Sequence, residues 1–218
     1  MTTERTQTLG EEIANAISHG LGFLLAVASL PILVAFAAEH GAISVTGAVV
    51  FSVTMVLLYL VSAVYHALPH GRWKHRFMRL DHAAIFLFIA GSYTPFVLGP
   101  LRGPWGWTLF GLVWGLAAVG VVAKVANRLR HPWWSTGLYI GMGWMALIAV
   151  GPMFERLPAQ GLALVIAGGV AYTLGAAFFL LDNRVRYAHF VWHLFVLAGS
   201  TLHFLAALWH GVVPAPLA

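Results

Sequence analysis

Long apolar runs alternate with short polar breaks along the whole chain. A helix needs about 20 mostly apolar residues to cross a bilayer. Seven such runs are found, at 16–38, 44–68, 81–99, 105–126, 134–153, 160–181 and 187–209. Charges or helix breakers fill the gaps, among them Pro69 and Gly71, the stretch Gly99 to Pro104, Pro132 and Pro158. The pattern predicts an all-α integral membrane protein, a seven-transmembrane helix bundle forming one domain over 1–218, with a short polar tail at 1–12.

Composition narrows the class further. Of 218 residues 60% are apolar and 9% charged, whereas soluble domains carry roughly 25% charged residues. An ordinary soluble domain is excluded. The formal charge of +5 is not a nucleic-acid signal, because the basic residues lie in short loops between apolar runs. The chain has no cysteine, which excludes disulfides and thiolate metal sites. The tail lacks the apolar core of a cleaved signal, so the first spanning helix is expected to target the chain.

Charge also sets the expected orientation. Arg5, Arg72, Lys74, Arg76, Arg79, Lys124, Arg128, Arg130, Arg184 and Arg186 fall on one side of a seven-span threading, and only Arg102 and Arg156 on the other. By the positive-inside rule the N-terminus is cytoplasmic and the C-terminus extracytoplasmic, in the cell's inner (plasma) membrane. Trp105, Trp107, Trp133 and Trp134 stand at span ends, as interfacial belts require. The pairs Gly111/Gly115 and Gly137/Gly141 are expected to let helices pack closely.

Six acids, Glu4, Glu11, Glu12, Glu39, Glu155 and Asp182, can be assigned to tails or loops. Asp81 heads a spanning run, where a carboxylate near the bilayer centre costs about 2.5 kcal/mol or more. Pairing with Arg76 or Arg79 at the membrane edge is one explanation; a functional role is the other. His66 ends the second run, and Ser62 lies one turn earlier on the same face. His189 and His193 open the seventh run at a spacing that puts both imidazoles on one side of a helix. In the threaded chain these groups reach the same depth.

Three neutral imidazoles, His66, His189 and His193, suit one zinc with a water as fourth ligand. Asp81 is then the candidate general base for that water, and Ser62 the candidate to orient it or to bind an oxyanion. A structural histidine cluster is the alternative. His40, His70, His75, His131 and His210 are expected in loops or at boundaries. His203 lies 14 residues beyond His189, about 21 Å along a helix, too far to share the metal. It is expected as a buried hydrogen-bonded histidine or as part of an access path from the outer side.

The same segments carry a family resemblance. Glu11-Glu12-Ile13-Ala14-Asn15-Ala16-Ile17-Ser18-His19-Gly20, S-A-V-Y-H at 62–66, R-L-D-H-A-A-I-F at 79–86, A-G-S-Y-T-P at 90–95 and H-F-V-W-H at 189–193 follow in order over nearly the whole chain. They resemble the bacterial hemolysin III family, within the progestin and adiponectin receptor superfamily. The resemblance implies a seven-helix bundle with a cytoplasmic N-terminus and zinc on His66, His189 and His193. It places Asp81 near the zinc-bound water and Ser62 one turn before the first ligand. It also offers Glu12, Asn15, His19, His82 and His203 as candidates to support the zinc ligands from behind, although for Glu12 a solvated helix start is the expectation. The receptors' long N-terminal domain is missing here, so receptor-style ligand sensing is not expected.

Because relatives in the superfamily include alkaline ceramidases, the expected function is zinc-dependent hydrolysis of lipid amides in membrane-lipid homeostasis. Membrane lipids are the expected partners and substrates. Two alternatives stand beside it, a pore-forming hemolysin and a non-catalytic lipid sensor with structural zinc. A pore would need a polar file along several helices, and the outer halves of most spans are apolar.

Overall fold

The computed structural model describes residues 5–129 and 131–214, and every regular element among them is helical. Glu4 and Arg130 lie outside the described residues. The helices are α1 (Leu9–Ala38), α2 (Ala42–Ala67), α3 (Arg72–Leu98), α4 (Pro104–Val125), α5 (Pro132–Gly143), α6 (Val150–Arg156), α7 (Ala159–Leu181) and α8 (Ala188–Ala206). A 3₁₀ stretch, Trp144–Ala149, joins α5 to α6, and a π turn, Ala207–Gly211, extends α8. Counting α5 to α6 as one, seven helical units are long and apolar enough to cross a membrane.

Two spans begin earlier than hydropathy alone indicates. Thr8 and Glu11 form a reciprocal capping box that starts α1 at Leu9. Helix α3 starts at Arg72, so Asp81 does not head its helix but lies nine residues inside it, roughly 14 Å from the start. Apolar content marks the part of a helix that sits in lipid, whereas caps and side-chain anchors fix where the helix ends. Here Lys74 supplies the anchor: its Nζ donates to the carbonyls of Tyr65 and Leu68 at 3.0 and 3.1 Å. No ion pair joins Asp81 to Arg76 or Arg79 among the described residues.

Helix α3 is the most buried span. Its Phe86 packs with Val113 and Ala117 of α4 and Tyr139 of α5, while Phe88 meets Phe51 of α2. Close approaches occur at Gly22, where a Cβ would strike Tyr59 and Leu197, and at Gly199, where it would strike Tyr172. Gly111, Gly115, Gly137 and Gly141 have no neighbour that a Cβ would meet. The expectation that they mediate tight packing is therefore corrected: small-residue spacing does not say which face of a helix meets a partner.

The fifth span is broken rather than continuous. The 3₁₀ stretch cannot keep i→i−4 pairing, and in lipid freed backbone groups need other partners. Tyr93 of α3 provides them. Its hydroxyl donates toward the carbonyls of Met142 and Gly143 at 2.9 and 2.7 Å, and accepts from the Ala146 N–H at 3.0 Å.

Candidate metal centre

The end of the bundle where α1 begins gathers the last turns of α2, the early turns of α3 and the first turns of α8. His66, His189 and His193 meet there, all buried, with one ring nitrogen of each within 4.8 Å of the other two. Their ring centroids are 5.0, 5.0 and 4.8 Å apart. The i,i+4 spacing on α8 and the single histidine from α2 converge as the spacing anticipates.

Hydrogen bonds settle which nitrogens face inward. His66 Nδ1 lies 2.8 Å from Glu12 Oε2, and His189 Nδ1 lies 2.9 Å from Asp182 Oδ2. A carboxylate can only accept, so each Nδ1 carries the proton. Ser18 Oγ donates its own proton to the Asn15 carbonyl at 2.9 Å and is therefore the acceptor for His193 Nδ1, 3.0 Å away. All three rings share one tautomer, with the Nε2 lone pairs free. His66 Nε2 is buried without any hydrogen-bond partner. Three neutral imidazole nitrogens, each oriented through its other nitrogen, fit a divalent transition metal of the zinc type.

Asp182 and Ser18 were not among the expected site residues, and Glu12 was expected as a solvated helix start. Glu12 is instead enclosed between His66 and Lys74, the latter at 3.1 Å. The helical face through Glu12, Asn15 and His19 was readable from spacing, and Ser18 shares it with Asn15. Asp182 offered no such signal, because it reaches His189 through a turn. That turn is clamped by the N-terminal segment. Arg5 makes a bidentate pair with Glu11, and its guanidinium donates to the Asp182 carbonyl at 3.0 Å. Glu11 also accepts from the Tyr187 N–H at 2.8 Å, where the chain takes a left-handed turn into α8. Hydrogen bonding to Glu11 holds the Arg5 guanidinium above its ordinary pKa.

The remaining expected residues divide. His19 stacks on His193, with ring centroids 3.4 Å apart and planes 5° from parallel, and its Nδ1 lies 2.7 Å from Ser62 Oγ. Asn15 donates to Gln7 at 2.6 Å and stands 3.5 Å from His66 Nδ1. His82 lies beside the site, its ring edge against Phe179. His203 is remote from the triad and bonds the Val165 carbonyl at 3.1 Å, the hydrogen-bonded histidine of the two expected readings. A cavity of about 110 Å³ opens above the triad, lined at this end by His19, Ser62, Asp81, His82, His189 and His193. Asp81 and Ser62 thus border the same space as two of the three histidines.

Residues 7–204 match the family described as "Haemolysin-III related". The chain is similar to "Hemolysin-3" of Bacillus cereus, 45% identical over 209 residues, covering 95% of each chain. It is also similar to "Hemolysin-3 homolog" of Bacillus subtilis (strain 168), 42% identical over 206 residues, covering 94% of this chain and 96% of that one. A more distant relative is the human "Monocyte to macrophage differentiation factor", 29% identical over 179 residues, 77% of this chain and 71% of that one. No solved structure matches.

Proposed function

The chain belongs to the haemolysin-III related family, and on that premise we propose that it is a zinc-dependent hydrolase of lipid amides. It acts within the cell's inner membrane with its N-terminus in the cytoplasm. Orientation is argued from charge: in the seven-span threading of the sequence, ten of the twelve Lys and Arg residues fall on the side of the N-terminus. The observation that carries the hydrolase reading is the set of three oriented Nε2 atoms beneath a cavity bordered by a buried carboxylate and a hydroxyl.

His66, His189 and His193 would hold the metal, which would supply a Lewis acid for a carbonyl oxygen and lower the pKa of water. The other steps fall to the chain. Asp81 takes a proton from the attacking water and returns it to the amine nitrogen as the C–N bond breaks. Ser62 Oγ directs its hydrogen bond to the oxygen that gains charge at the carbonyl. His19, bonded to Ser62 and stacked on His193, holds both in place.

Elemental mass spectrometry of the purified protein, paired with turnover of ceramide-like amides, tests this. About one zinc per chain is expected in wild type, lost in His193→Ala and kept in Asp81→Ala, with turnover abolished in both. Turnover that survives Asp81→Ala sinks the mechanism. Zinc without turnover in wild type, and a bundle that melts on metal removal, would leave a structural site.

A further inference from the structure

A second apolar chamber of about 100 Å³ adjoins the cavity above the histidines. The two share a collar of Ser92, Tyr93, Gly143, Trp144, Gly169 and His203. On the near side the first chamber changes character along its length, from imidazoles, Asp81 and Ser62 to Ile85, Phe88 and Ile89. Beyond the collar the lining is Phe96, Leu101, Leu109, Met153, Phe154 and Leu162. Along α3, Asp81 to Phe96 is 15 residues, roughly 22 Å of helix. A polar end followed by an apolar shaft matches a lipid with a reactive head and a hydrocarbon tail.

Trp144 is the bulkiest member of the collar, and it is fixed. Its Nε1 donates to Thr173 Oγ1 at 3.0 Å, and the Thr173 hydroxyl donates onward to the Gly169 carbonyl at 2.7 Å. Gly169 has no side chain, and the indole lies against it; even a Cβ there would stand 3.7 Å from the ring. The backbone on both sides of Trp144 is held by the Tyr93 hydroxyl. The indole therefore stands in rigid surroundings between the two chambers.

The geometry points to Trp144 as the residue that limits the length of the apolar chain held in the first chamber. The identity of that chain, the acyl tail of a lipid amide, rests on the proposed function, but its length limit is readable without turnover.

The test is competition among saturated fatty acids, octanoic to eicosanoic, for the protein in lipid nanodiscs, with the bound acid identified by native mass spectrometry. Lipid tails are as apolar as the chamber wall, so extra methylenes gain little over the bilayer. The limit appears instead as a loss. Acids that reach past the indole are held on the order of tenfold less tightly than shorter ones, through overpacking. Trp144→Phe, Trp144→Leu and Trp144→Ala move the cutoff to longer acids in that order, and Thr173→Val, which frees the indole without removing it, blurs the cutoff. The same cutoff in wild type and Trp144→Ala, with acid bound to both, overturns the assignment and leaves the hydrolase reading standing. No acid retained by any variant also overturns it, while zinc content and turnover in Asp81→Ala judge the hydrolase reading separately.

Discussion

Each candidate ligand is useful only because a neighbour decides where its proton sits. Free imidazole exposes a lone pair at either nitrogen; Glu12, Asp182 and Ser18 remove that choice by accepting from Nδ1. Removing such partners typically weakens metal affinity about 10–100-fold. Ser18→Ala and Asp182→Ala are therefore expected to lose zinc to a competing chelator at concentrations wild type resists, while helicity by circular dichroism is unchanged. Affinity equal to wild type would reduce both contacts to packing. That the three histidines would meet beside Asp81 and Ser62 was legible because helical spacing and membrane depth depend on residue number alone. Asp182 was not, since a turn brings it back onto His189 and turns follow no period. Glu12 was misjudged for a related reason: the terminus of α1 is covered by the start of α3, and Lys74 meets it there.

Among the elements, number and order were legible and irregularities were not. Seven apolar runs became seven spanning units, but hydropathy carries no information about hydrogen-bond pattern, so the 3₁₀ break was invisible. Its stability depends on one side chain from another helix. Tyr93→Phe should cost about 1–3 kcal/mol, the range for polar groups left unpaired away from water, seen as a lower thermal midpoint in detergent. Glycine substitutions should separate by environment in the same assay. Gly168→Ala drives a methyl into the His203 ring and should destabilise the bundle, whereas Gly115→Ala meets nothing and should be neutral or slightly stabilising. If both behave alike, the packing of α7 against α8 is misread.

For the whole molecule, the charge asymmetry makes a topological prediction that the chain's composition renders easy to check. With no native cysteine, a single introduced thiol reports one position. A membrane-impermeant maleimide should label His40→Cys in intact cells and His75→Cys only after the membrane is opened; the reverse pattern would invert the molecule. The two basic residues on the far side are neighbours, Arg156 donating to the Arg102 carbonyl at 3.1 Å. The candidate metal centre, by contrast, draws on both ends of the chain, from Glu12 to His193. As the chain is made, Glu12 finds His66 and Lys74 on the next two helices, whereas Ser18 faces an absent His193 until α8 follows. The cluster is thus completed last: a chain cut before α8 keeps His66 alone of the three histidines that could hold an ion.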